Sequence, residues 1–435
     1  MRVSFLGTGW RGVAAAFLAL VAATVFAAPG YAQVKPGDMI TPDNAVKVKD
    51  LVSPGVYYKV VNGMRMKIIP SQRVDWPPPY KDATEKYSSQ VRLSDDHRSV
   101  VGYVAGQPFP LIDPNDPYVG VKIIWNNVFR PITTDDYDLR FYDCESAYEA
   151  KGKSMGRMIE YFQIGHYAGY DLVGRTEVEP LPIDPDFRKT NRLWLFALYP
   201  LLAPQEIRGE GFIRYRYANP DRGDDQWLWN PGARRIRRMN EGLMSDATGA
   251  QAWDPDHYSG FNPKTEEYNY KYLGEKEMLA SAHAEHSPEV RCETDGGASA
   301  CPEAWEMRHL YVIEATPARK RDNHQALHGR TLVYMDSEVW FEPYIDTYDQ
   351  QGRLFQDHIY WLTYRDRPVP DAKVAIYPFK REFVVGAVST DEQSGLATMC
   401  YLPGRTTPER ECWYINMGAV NRDFFTTDAM TRAAP

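Results

Sequence analysis

Four groups of residues in this chain have the types and spacing that catalysis or metal binding would need. Gly152-Lys153-Ser154-Met155-Gly156 has the Gly-x-Ser-x-Gly form of a nucleophile elbow, which raises a serine on a strained strand-to-helix turn. The segment before it, Glu145 to Ala150, is charged and helix-like, so the elbow has no buried strand to rise from. The same Gly-Lys-Ser lacks the first glycine of a phosphate loop, because Ala147 stands there. His283, Glu285 and His286 lie near Cys292 but match no zinc spacing. His324 and His328 are four apart, yet Gln325 takes the place of the glutamate that a metalloprotease helix uses. Asp254, Asp256 and His257 are the remaining set, and an ester or glycan hydrolase could use them as acid and base. Their Asp-Pro-Asp setting equally suits a turn whose aspartates pair with arginines. The expectation is a protein without catalytic residues, metal or cofactor, with a hydrolase as the second alternative.

Binding is better signposted than catalysis. In Trp227-Leu228-Trp229-Asn230-Pro231-Gly232-Ala233-Arg234-Arg235-Ile236-Arg237-Arg238, two tryptophans alternate with leucine, a tight turn follows, and four arginines surround one isoleucine. With a period of two, Trp227 and Trp229 share one strand face. Arg234, Ile236 and Arg238 share a face, and Arg235 and Arg237 share the other. Guanidinium groups on both faces require acidic partners, a cavity or a ligand. Arginine grips phosphate or carboxylate in a two-pronged geometry, so these four suit the mouth of a pocket or a partner surface, and the tryptophans suit its wall.

The first 32 residues read as an address. Arg2 and Arg11 give a basic start, Gly12 to Ala28 is a small-residue apolar core, and Gly30-Tyr31-Ala32 suits cleavage after Ala32. Secretion into a bacterial periplasm is expected. The apolar run is short for a spanning helix, which needs about 20 residues. Removing two arginines and no acids takes the net charge from −8 to −10, so general nucleic-acid binding is not expected. In an oxidising compartment the local pairs Cys292–Cys301 and Cys400–Cys412 are the natural disulfides, leaving Cys144 over.

These residues need elements to hold them. Thr41 to Val52 reads as a short helix with Thr41 as its cap, and Gly55 to Ile69 as one or two strands. Ser71 to Tyr80 is proline-broken loop, and Lys86 to Val104 resumes strand. A helix is expected from about Asp116 to Asn127 and another around Ser146 to Glu160. Strands follow at Phe212–Tyr217, Tyr268–Met278, His309–Ala315, Thr331–Asp336, Val339–Tyr348 and Arg353–Tyr364, linked by turns such as Asp349-Gln350-Gln351-Gly352. With 29 tyrosines and 11 tryptophans, such an antiparallel meander presents many amphipathic rings. The expected fold is mainly β with covering helices (α+β): a strongly curved antiparallel half-barrel around an apolar cavity. The boundaries are a signal peptide at 1–32, one domain at 33–427 with insertions, and a disordered tail at 428–435.

The order of motifs resembles the domain of unknown function 1329 family. The resemblance is carried by Tyr103 to Pro110, Gly120 to Asn126, Asn230 to Arg238, Ser259-Gly260-Phe261-Asn262, Tyr268 to Glu277, Arg330 to Asp336 with Trp340, and Asp346 to Asp349 with Gly352. It implies a periplasmic, lipoprotein-sorting-like protein whose sheet holds acyl chains as lipoprotein carriers do. It also implies a transient partner in the envelope, either a resistance-nodulation-division-type exporter or an outer-membrane acceptor. A structural or interaction subunit of such a complex is the first alternative. Tyr334, Trp340 and Tyr348 then join Trp227, Trp229, Arg234, Arg235, Arg237 and Arg238 as the expected ligand-binding set.

Overall fold

The computed structural model describes residues 34–148, 158–239, 251–285, 303–318, 328–368, 375–402 and 413–433. The expected signal peptide, the Gly152–Gly156 motif, His286, His324, Cys292, Cys301 and Cys412 lie outside them. The described part begins with β1 (Met39–Ile40) and a 3₁₀ turn (Pro42–Val48), shorter than the helix expected there. Helix α1 (Pro54–Val61) then replaces the strands expected from Gly55. The local chemistry explains the correction: Ser53 Oγ accepts from Val56 N at 3.2 Å, Pro54 suits the first turn, and Val56 and Val60 bury one face at i, i+4. Only β2 (Met66–Ile68) is strand here. Helix α2 (Pro78–Tyr87) and the small hairpin of β3 (Arg92–Leu93) and β4 (Val100–Val101) precede helix α3 (Val119–Val128), which falls where the sequence placed it.

A first meander follows: β5 (Asp136–Tyr148), β6 (Met158–Asp171), β7 (Arg192–Leu198), β8 (Leu201–Ala203), β9 (Gly211–Tyr217), β10 (Asp225–Asn230) and β11 (Arg235–Arg238). A single helical turn, α4 (Phe187–Thr190), precedes β7. The helix expected around Ser146 to Glu160 is absent from the described part of that stretch, which is the end of β5 and the start of β6. A second meander comprises β12 (Tyr268–Ala280), β13 (Glu303–Pro317), β14 (His328–Asp336), β15 (Tyr344–Asp349), β16 (Leu354–Arg365), β17 (Arg381–Asp391) and β18 (Leu396–Tyr401). β19 (Trp413–Ile415) pairs with β5, and helix α5 (Thr427–Arg432) follows.

Antiparallel pairing of β18 with β5 welds the two meanders into one sheet, running β11-β10-β9-β7-β6-β5-β18-β17-β16-β15-β14-β13-β12. The sheet is mainly antiparallel and open; it neither closes nor curls strongly into the half-barrel that the element order suggested. Helix α1 packs on β15 and β16, and α3 packs on β12.

The first meander is covered on both faces. Ile213, Tyr215 and Tyr217 of β9 face one way, into a cluster with Phe425 and Met430, and Phe212 faces the other. The C-terminal segment joins that cluster through Val420, Phe425 and Met430, and Thr427–Arg432, where disorder was expected to begin, is helical. Thr426 Oγ1 caps it at 3.2 Å, and Met430 is fully buried.

A buried carboxyl fixes α1 on the sheet. Asp346 of β15 accepts from Ser53 Oγ at 2.8 Å and from Gly55 N at 3.0 Å. A Cβ on Gly55 would lie 2.5 Å from Asp346 Oδ1, so only glycine permits this approach. Burial pushes the Asp346 carboxyl up to about 6, against the opposing effect of those hydrogen bonds. A carboxyl raised on folding favours the folded state fully below its unfolded pKa near 3.8 and loses that contribution as pH rises through about 6. Asp346→Asn should therefore flatten the fall in stability between these two pH values, by up to about 3 kcal/mol. Urea unfolding at stepped pH checks this; an unchanged slope would contradict it.

A candidate ligand-binding cavity

A cavity of about 450 Å³ lies on the inner face of β5–β10 and β16–β19, roofed by the segment 251–262. One rung of the sheet crosses its floor. Phe162 pairs with Cys144, Cys144 with Cys400, Cys400 with Ala387, and Ala387 with Tyr360; all five line the cavity. Cys144 and Cys400 form a disulfide across β5 and β18. This corrects the expected Cys400–Cys412 pair and the expectation that Cys144 is left over. Spacing along the chain favours short loops, whereas the register places Cys144 and Cys400 directly opposite, with Cα atoms 4.0 Å apart. The Cys292–Cys301 pair lies outside the described residues.

Alternation on β5 changes phase within the cavity. Tyr137 and Leu139 line it on one side of Phe141, and Tyr142 and Cys144 line it on the other. Phe141 has φ +54°, a left-handed backbone conformation that lets the strand turn both sets inward. The roof is tied down by Ala252 N and Trp253 Nε1, which donate to Thr398 Oγ1 and O at 2.9 and 3.1 Å. Tyr167 Oη donates to Tyr258 O at 3.0 Å from the wall.

Arg130 and Glu210 are the charged residues of the lining. Burial raises the Glu210 carboxyl, opposed by a 2.7 Å bond from Asn230 Nδ2. Arg130 donates to Ser259 O at 3.0 Å and lies over the Phe341 ring at 4.9 Å, while its buried Nε has no hydrogen-bond partner among the described residues. Arg130 also borders a smaller recess of about 70 Å³ shared with Arg214 and Asp171. There Arg214 pairs with Asp224 at 2.6 Å and Asp256 at 3.4 Å. Burial alone would raise Asp224, but Arg216 and Arg214 outweigh it and hold it at about 2. The site is thus an apolar chamber with a guanidinium at one side and a polar annex beyond.

The expected site residues stand elsewhere. Trp227 and Trp229 do share a face, but they pack against the Tyr215, Phe425 and Met430 cluster on the opposite side of the sheet, so the wall they were expected to form belongs to an ordinary core. Leu228, between them, lines the cavity instead. Arg235, Arg237 and Arg238 are exposed on β11, as is Arg234 in the turn before it, and none lines the cavity. Arg238 pairs with Asp225, not with the Asp254–Asp256 turn. Tyr334 packs on Tyr344, Trp340 stacks on Tyr311, and Tyr348 lies beneath Arg330; all three are buried away from the cavity. The sequence reading missed Arg130 and the Tyr137/Leu139/Tyr167 wall. The wall's one signal in the sequence is the apolar alternation of Tyr137-Asp138-Leu139.

The acid–base candidates are buried behind the roof. His257 Nδ1 lies 2.9 Å from both oxygens of Asp254, and its ring stacks on His358. Burial would lower His257, but Asp254 outweighs it and raises it; burial pushes His358 well below the ordinary histidine value. Burial also takes nearby Glu342 up to about 7, with Arg130 pulling the other way. His283 pairs with Glu306 at 2.5 Å, and His328 is buried near His257. Among the described residues no helix is long and apolar enough to cross a membrane.

The chain is similar to the uncharacterized protein PA3922 of Pseudomonas aeruginosa, with 21% identity over 379 residues covering 83% of this chain and 77% of that one. Its fold aligns with a candidate outer-membrane lipoprotein-sorting protein domain from Vibrio parahaemolyticus at a TM-score of 0.48 and 13% identity, covering 72% of this chain and 98% of that one. A DUF1329 family protein from Desulfovibrio piger aligns at a TM-score of 0.44 and 12% identity, covering 73% and 100%. The model of the family described as protein of unknown function (DUF1329) matches residues 39–431, and the chain belongs to that family.

Proposed function

We propose that this protein is a non-enzymatic periplasmic carrier that holds the apolar part of a lipid-like or lipidated molecule and hands it to an envelope acceptor or exporter. The carrying observation is the cavity. Its size falls in the roughly 300–1,000 Å³ range of small-molecule sites, and its walls are mostly apolar and aromatic. Acyl chains need such walls and no directional chemistry, and their burial contributes about 25 cal/mol per Å². Arg130, with its Nε turned to no protein acceptor among the described residues, suits a phosphate or carboxylate end group. The N-terminal basic and apolar run supports a periplasmic location. The exposed arginines of the β10–β11 hairpin suit the acidic surface of a handover partner rather than the cargo. Lipid extraction and native mass spectrometry of protein taken from its own host test the reading: a bound lipid-like molecule supports it, and uniformly cargo-free protein does not.

A further inference from the structure

β11 stands at one end of the sheet and pairs only with β10 among the described residues. The chamber reaches this same edge. Leu228 of β10 and Met239, which follows β11, both line it and are half-buried. The register sets Arg237 opposite Leu228 and Arg235 opposite Asn230. Directly opposed residues of an antiparallel pair share a face. Arg235 and Arg237 therefore stand on the chamber side of the hairpin, flanking its lining. Ile236 and Arg238, opposite Trp229 and Trp227, stand on the other side.

All four residues of β11 are exposed, Ile236 by 42%. Arg238 pairs with Asp225, but Arg234, Arg235 and Arg237 have no ion-pair partner among the described residues. Four guanidinium groups thus crowd into five residues of a chain whose net charge is −8. Their mutual repulsion is relieved by an anionic surface. We propose that the β10–β11 hairpin docks the margin of the chamber on a bilayer surface rich in anionic headgroups. The proposal rests on the carrier reading and specifies its handover surface.

Geometry and charge favour a bilayer over an added strand of a partner protein. Cations on both faces of a short edge strand are a device that refuses strand addition. A plane of phosphates demands no register, and guanidinium groups in the turn and on both faces reach it at many tilts. Ile236, exposed among them, suits the boundary below the headgroups, where interfacial segments place apolar side chains beside cations. Each basic side chain near such a surface raises partitioning about fivefold. The same surface repels the net negative charge of the rest of the chain. The hairpin therefore leads, and Leu228 and Met239 arrive beside the lipid.

The test uses the full chain, sedimented with vesicles of phosphatidylcholine alone or of phosphatidylcholine with phosphatidylglycerol. Binding is expected only to the anionic vesicles and should weaken as salt is raised. Arg235→Gln/Arg237→Gln should lower that partitioning roughly 20- to 30-fold, with Tm and affinity for a fluorescent fatty acid unchanged. Arg235→Lys/Arg237→Lys should keep most of it, because the charge remains. Transfer of the fluorescent fatty acid from protein to vesicles should speed up with phosphatidylglycerol content and slow in the glutamine variant. Equal binding to neutral vesicles, or undiminished binding in the glutamine variant, would overturn the proposal. Binding to polyglutamate but not to the anionic vesicles would also overturn it, by assigning the hairpin to an acidic protein. Sedimentation is read without cargo, so a failure to bind fatty acid would count against the carrier reading alone.

Discussion

Ala387→Phe should abolish tight binding of a fluorescent fatty acid while leaving the fold intact. Ala387 lines the cavity floor between Cys400 and Tyr360 on the rung that crosses five strands. Its side chain is the smallest on that rung, so a ring there projects into the chamber. If the ring removes roughly 100 Å² of apolar contact from the cargo, the loss is about 2.5 kcal/mol at ~25 cal/mol per Å². That corresponds to about 50- to 100-fold in affinity. Because the added ring enters open space, overpacking should remain toward the lower end of the usual ~1–3 kcal/mol. Fluorescence titration beside thermal unfolding separates the two effects. Unchanged affinity in a folded variant would place the ligand elsewhere.

Removing the disulfide should cost stability on a comparable scale. Cys144 and Cys400 are 256 residues apart, so their bond closes a long loop of the unfolded chain. Cross-links of that kind typically contribute about 2–5 kcal/mol. The bond also spans β5 and β18, the seam between the two meanders, so its loss weakens the union of the sheet's halves. Cys144→Ala/Cys400→Ala should lower the urea midpoint and steepen the dependence on denaturant, because the unfolded chain expands once the cross-link is gone. Peptide mapping under non-reducing conditions should recover the Cys144–Cys400 link. A Cys400–Cys412 peptide, or an unmoved midpoint, would contradict this account.

The strands were legible where they alternate, and the site was not legible because alternation names no side. Period two correctly put Trp227 and Trp229 on one face, but a sheet covered twice offers two buried faces. The cover behind those tryptophans includes Phe425 and Met430 of the C-terminal segment, whose polar, alanine-containing end beyond Thr427 reads as disorder. Missing that cover made the cavity appear the natural home for the rings. Helix α1 was hidden by its valines, which suit strands as readily as a buried helical face, and only Ser53-Pro54 marked its start. The β5–β6 hairpin was hidden in the opposite way, by charged residues in Glu145 to Ala150 that suit a helix. Long-range pairing decided the cysteines, since the register of β5 with β18 has no local signature. Arg130 carried no signal at all; a lone arginine becomes informative only when the fold sets it beside Phe341 and an apolar chamber.

The central claim, that the chamber of β5–β10 and β16–β19 holds an apolar cargo, is met most directly by native mass spectrometry of protein purified from its own host without detergent. The account predicts a mass excess that lipid extraction releases, identifies as acyl-bearing, and that is lost in Ala387→Phe. Wild-type protein that is consistently free of added mass, or an excess retained at full occupancy in that variant, would contradict it.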